Sequence, residues 1–235
     1  MQPAAITSDT SPISRPAARL SIAATAAVIL LLSSLHVLSP EFDPSWRVVS
    51  EYALGQYGWV LSLMFLCWAV SSWALADAIR SQLRTRGGKI GLGFLIAAGI
   101  GEAMASVFDV PHPLHNLAGV VGVLGLPVAA MLISTSLTRA QPWSSTRKLL
   151  LLTANLTWFS AGLMFAALII MILGYIEAVG FSTTAEVKVL PPGVIALVGY
   201  ANRLLVVVYC VWVTTVAWQA IKLRRGAVAL RQSYA

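Results

Sequence analysis

Charge is what this 235-residue chain has least of: Asp, Glu, Lys and Arg make up only 11% of it. A soluble domain carries about 25%, so the deficit argues against an ordinary water-facing surface. Cysteine is nearly absent. Cys67 and Cys210 stand far apart with no Cys-x-x-Cys spacing, which removes a disulfide framework and a thiolate zinc site. Both read as small apolar packing residues. The chain also lacks a Gly-rich phosphate loop, a Gly-x-Ser-x-Gly elbow and a Cys–His nucleophile arrangement. Neither a repeat of fixed period nor an inverted-repeat symmetry stands out.

What fills the chain instead is apolar, 58% of all residues. Six long runs lie near 20–38, 57–79, 90–108, 115–137, 149–176 and 193–220. Each approaches the roughly 20 residues a helix needs to cross the hydrocarbon core. The expected fold class is therefore all-α: a polytopic membrane protein of six transmembrane helices, with a short interfacial helix after the first. One membrane domain over 19–222 takes up almost everything. It is flanked by a disordered cytoplasmic tail at 1–18, rich in Ser, Thr, Pro and Ala, and a basic cytoplasmic tail at 223–235. The first run is long for a signal peptide's apolar region, and Ser39-Pro40-Glu41 follows it where a small-residue cleavage site would stand. It reads as a span.

The formal net charge of +7 is a topology signal. Thirteen of the sixteen basic residues fall on one side of a six-span arrangement: Arg15 and Arg19, Arg80 to Lys89, Arg139 to Lys148, and Lys222 to Arg231. Arg47, Lys188 and Arg203 are the remainder. Of nine acids, only Asp9 and Asp77 share the basic side. Positive charge collects in cytoplasmic loops, so both termini are expected in the cytoplasm of an inner-membrane protein. The basic surplus suits anionic lipid, and the partners expected are the bilayer and a lipid or small-molecule ligand. Nucleic acid is excluded by how the charge is distributed.

The loop after the first run reads Ser39-Pro40-Glu41-Phe42-Asp43-Pro44, then Arg47, Ser50-Glu51 and Tyr52. Asp43 as N-cap and Pro44 at the first helical position predict a short helix over about 44–54. That helix would place Arg47, Ser50, Glu51 and Leu54 on one face. Two readings stay open: an interfacial tether, or Ser50 and Glu51 turned inward to line a site. This arrangement of span, Ser-Pro-x-x-Asp-Pro, Ser-Glu and next span resembles the bacterial membrane family catalogued as domain of unknown function 998 (DUF998). A Pro- and His-containing loop opening the fourth span and six spans overall continue the likeness, over roughly 20–220. Members often carry a second histidine four residues after the one matching His115; here that position is Gly119. The resemblance implies a fold and no reaction.

Gly101 and Ala105 in the third run, and Gly119, Gly122 and Gly125 in the fourth, are small residues that let helices approach closely in lipid. They predict an antiparallel hairpin of spans three and four. At its tip stands Phe108-Asp109-Val110-Pro111-His112-Pro113-Leu114-His115-Asn116, with two of the three histidines beside an acid. Asp109, His112 and His115 would suit a divalent metal, with His36 or Glu51 completing it, although the spacing matches no zinc motif. The same residues would suit acid–base work, with Glu102 on the same helical face as Asp109. The plainest alternative is a polar loop whose histidines cap the fourth span. Haem held by His36 and His115 is disfavoured, since both lie near the surface, and no cofactor is expected.

Glu102 and Arg203 are ionisable groups inside spans, each costing about 2.5–3.5 kcal/mol on insertion scales. Counted from their helix ends they lie at similar depths, and an ion pair between them is expected. The alternatives are a cavity-lining pair that greets an anionic headgroup or substrate, snorkelling, or a neutral Glu. The candidate lining is thus Ser50, Glu51, Glu102, Asp109, His112, His115 and Arg203, with His36 at the rim of an outward-facing polar pocket. Three functions fit: binding or transport of a lipid or small solute, a membrane-embedded hydrolase or transferase using the Asp/His cluster, or a structural or accessory subunit.

Overall fold

A computed structural model describes residues 13–180 and 189–233, and among these residues all regular structure is helical. In chain order the helices are α1 (Arg15–Leu38), α2 (Gly58–Ile79), α3 (Arg86–Val107), α4 (Pro113–Leu137), the single turn α5 (Gln141–Ser144), α6 (Arg147–Val179) and α7 (Val198–Ser233). A six-residue 3₁₀ helix, Val49–Leu54, lies between α1 and α2. Six of the helices, all but α5, are long and apolar enough to cross a membrane. Helices are the physical answer for such sequences, because in lipid every backbone N–H and C=O must find its partner within the chain. Large apolar side chains such as Leu30, Trp59, Phe159 and Leu173 point outward. On a soluble protein that surface would associate; here it suits lipid tails.

Neighbours in sequence pack as neighbours in space: α1 on α2, α2 on α3, α3 along α4, and α6 on α7, with α7 also reaching α1 and α2. The α3–α4 hairpin forms as its small residues predict. A Cβ added at Gly101 would sit 2.8 Å from the Ala118 carbonyl oxygen and 2.9 Å from the Gly122 nitrogen, so only glycine permits this approach. Short polar contacts tie helices where packing alone must do the work. Thr25 and Ser71 hydroxyls meet at 2.6 Å between α1 and α2, Thr85 and Ser136 at 2.7 Å between α3 and α4, and the Trp212 indole donates to Ser134 across α7 and α4.

Several boundaries differ from the sequence expectation. Helix α1 already begins at Arg15, inside the stretch read as a tail, and residues 1–12 lie outside the described part. Helix α7 starts at Val198 rather than beside Pro192, because Gly193 takes a φ of +90° and Val194 closes a turn onto the Pro191 carbonyl. At its far end α7 continues to Ser233, through most of the expected basic tail. The helix expected over 44–54 is only its second half. Asp43 accepts the Ser45 N–H at 2.9 Å and its carbonyl closes a turn with Arg47, after which Val48 is extended. That extended stretch frees the Pro44 and Arg47 carbonyls for another partner.

The register of α3 against α2 positions the site. Glu102 touches Ser72, fourteen residues beyond the Gly58 start of α2, and Gly99 lies against Trp73. The last residue of α3, Val107, therefore comes level with the interior of α2, roughly two to three turns below its first residue. The tip of the α3–α4 hairpin is set back into the bundle relative to the α1–α2 loop.

Candidate functional site

At the end of the bundle holding Glu41, Asp43, Glu51 and Asp109 there are two polar groupings. The first is built on Arg203. Arg203 is 9% exposed and its guanidinium donors are almost fully engaged. Nε–H donates to His36 Nε2 at 2.7 Å, and one terminal nitrogen donates to the carbonyls of Arg47 at 2.7 Å, Gly199 at 2.9 Å and Pro44 at 3.4 Å. The other donates to the Tyr52 hydroxyl at 2.9 Å. His36 also meets the Leu32 carbonyl through Nδ1 at 2.7 Å. With Nε2 accepting from Arg203, Nδ1 must be the protonated nitrogen, so both ring nitrogens are occupied. Helix α7 can approach this loop because residue 199 is glycine: a Cβ there would collide with the Pro44 carbonyl. The Gly199 N–H donates to Ser45 in turn.

Arg203 thus joins α1, the interfacial loop and α7 without any carboxylate. The expected Glu102–Arg203 ion pair is not formed. Counting residues from helix ends misjudged the depth, since α3 is set back along α2 while Arg203 lies on the second turn of α7. Glu51 does not turn inward either. It pairs with Arg47 at 2.8 Å and accepts the Val48 N–H at 2.7 Å, which starts the 3₁₀ helix. Asp43, in the loop, is held below its usual carboxylate range by the Ser45 backbone N–H first, then the Ser45 hydroxyl, with the charge of Arg203 a smaller contribution.

The second grouping surrounds a cavity of about 120 Å³ between the 3₁₀ helix, α2, α3, α4 and α7. Its polar lining is Ser50, Glu102, His115, Asn202 and Tyr209, and its apolar walls include Phe65, Trp68, Val123, Leu205 and Val206. Gly119 and Gly122 face it with open space where a Cβ would stand. Glu102 is 5% exposed; its Oε2 accepts the Ser72 hydroxyl at 2.9 Å, and among the described residues no cation contacts it. Trp68 is 6% exposed and its indole N–H has no hydrogen-bond partner. Tyr209 donates to the Val123 carbonyl at 2.6 Å, and Asn202 accepts the Val49 N–H at 2.8 Å, fastening the 3₁₀ helix over the cavity. Phe65 and Trp68 stack at 6.4 Å, and Trp68 meets Tyr209 edge-on at 6.2 Å.

Of the eight residues singled out from sequence, Ser50, Glu102 and His115 meet at this cavity. His36, Glu51 and Arg203 belong to the loop clamp. Asp109 and His112 are exposed at the hairpin tip. His112 caps α4 by accepting the Leu114 N–H at 3.2 Å and stacks on Phe108 at 4.6 Å, while His115 Nδ1 meets the Phe108 carbonyl at 2.8 Å. Proline at 111 and 113 splays the three side chains. Among the described residues no three His, Cys, Asp or Glu side chains gather as a metal site. With His36 committed to Leu32 and Arg203, the His36–His115 haem pair has no geometry behind it.

Sequence reasoning missed Phe65, Trp68, Ser72, Asn202 and Tyr209 as part of this arrangement. Ser71-Ser72 in an otherwise apolar run was a usable signal, as was Asn202 beside Arg203. Trp68 and Tyr209 gave none, since aromatic residues in spans ordinarily pack.

Residues 21–219 match the family described as Protein of unknown function (DUF998), and the chain belongs to that family. It has no match among curated proteins or among solved structures.

Proposed function

From membership of a family without a known activity, we propose, on the geometry alone, that this polytopic membrane protein binds or passes a lipid or small solute through the cavity under the 3₁₀ helix. The observation that carries the reading is a buried acid, Glu102, with a single hydroxyl partner, lining a cavity with aromatic walls and glycine-made room. Buried polar groups are almost always satisfied, and each exception needs an explanation. Small-molecule sites have this character: mostly apolar walls and a few convergent polar groups. The asymmetry of basic residues supports an orientation with the basic loops in the cytoplasm and the cavity toward the opposite face. In a cysteine-free background, a cysteine at Ser45 should then react with an impermeant reagent added to intact cells, and reaction only after lysis would reverse the orientation.

The binding reading is tested by native mass spectrometry of protein extracted in mild detergent. Gly122→Leu is the control, because its side chain enters open space. The wild type should carry a small-molecule adduct, or be stabilised against heat by membrane lipid extract, and the filled variant should not. Identical behaviour of the two proteins in both measurements overturns the reading.

A further inference from the structure

Resting on that reading, we propose that the occupant of the cavity carries an organic ammonium group, as amino alcohols and the headgroups derived from them do. A buried acid is costly to ionise without a cation beside it, and among the described residues the side-chain partner of Glu102 is the neutral Ser72 hydroxyl. Arg203, the cation within reach by sequence, is consumed by His36, Tyr52 and three carbonyls. Among the described residues no Lys or Arg lines the cavity. A cationic ligand is the partner that would let the carboxylate form of Glu102 exist there.

The walls agree with this. Phe65, Trp68 and Tyr209 present rings to the same space as the acid. Aromatic faces attract alkylammonium cations through their quadrupoles, and desolvation strengthens the attraction. An anion would meet the Glu102 carboxylate and these π-faces with no counter-charge beyond His115, whose Nδ1 is already engaged by Phe108. Acid and rings together describe an ammonium. Ser50, within the 3₁₀ helix, and Asn202, which accepts the Val49 N–H, complete the polar lining.

That chemistry has two sources, a free amino alcohol or an amine-bearing lipid headgroup, and two arms separate them. In detergent, purified protein is titrated with ethanolamine and choline, with glycerol and acetate as neutral and anionic controls. In nanodiscs, thermal stability is compared in phosphatidylethanolamine with phosphatidylglycerol, and in phosphatidylglycerol alone. Stabilisation by the amine in at least one arm is expected. Glu102→Gln, which keeps the Ser72 hydrogen bond, should weaken it about ten- to a hundredfold, and Trp68→Phe about two- to tenfold. Gly122→Leu should abolish it. Amine effects matched by the controls, or unchanged in Glu102→Gln, overturn the ammonium assignment. If an adduct of another class is excluded by Gly122→Leu, the assignment fails while the cavity reading stands. If Gly122→Leu changes nothing in any arm, both fail.

Discussion

Two ionisable side chains are buried within one bundle, and they are treated in opposite ways. Arg203 is surrounded: three carbonyls, an imidazole and a phenol take its donors, and every partner is fixed by α1, by the loop between α1 and α2 or by α7 itself. Glu102 has one hydroxyl and an open cavity. A charge whose hydrogen-bonding capacity is saturated by the fold contributes architecture. An acid left with unfilled hydrogen-bonding capacity beside a void is available to a visitor. The contrast predicts stability effects at one residue and binding effects at the other.

The largest expected effect is at Arg203. Replacing it with Ala leaves carbonyls and His36 buried without a donor, and removing one side of such a network costs about 3–5 kcal/mol. Arg203→Lys should rescue little, since one ammonium cannot span the fork of partners. Thermal unfolding in detergent checks both, and a stable, well-expressed Arg203→Ala would break the comparison at its first term. Next comes the α3–α4 contact. Gly101→Val drives a branched side chain into the Ala118 backbone and should destabilise by about 1–3 kcal/mol. Gly122→Leu, on the facing helix of the same interface but opening onto the cavity, should be close to neutral by the same melt.

Glu102→Gln should move stability by less than about 1 kcal/mol while changing ligand response. Combined with Arg203→Gln, its effect should add within about 0.3–0.5 kcal/mol, as for sites with no shared partner. A larger coupling would mean the two groups communicate after all. The smallest effect is at Asp43. Its folded pKa lies below the ordinary value of 3.8, so its contribution is present above that value and is lost as pH falls through the folded pKa. Wild type and Asp43→Asn should therefore converge in melting temperature on acidification below about pH 4, a slight difference at neutral pH shrinking toward zero.

The comparison also shows where sequence reading succeeds. Hydropathy marks six spans to within a few residues because the cost of unsatisfied backbone in lipid applies to each segment separately. Gly101, Ala105 and the glycines of α4 announced a close hairpin for a similar reason: their effect depends on what one helix face lacks. Glu102 and Arg203 were recognisable as costly residues one at a time. Their partners were not, because pairing depends on the axial offset between helices, and nothing local encodes the offset that lets Glu102 reach Ser72 deep in α2.

By itself the sequence determined that the chain is an all-helical membrane protein, that its basic residues gather at one end, and that Glu102 and His115 stand out against an apolar background. Those properties follow from composition and period, which are local sums. The tertiary structure alone decided that Arg203 clamps a loop, that Asp109 and His112 stay at the surface, and that Trp68 and Tyr209 join Glu102 around a cavity. Each of these is a distance between residues remote in sequence, set by helix offset and by which glycines leave room.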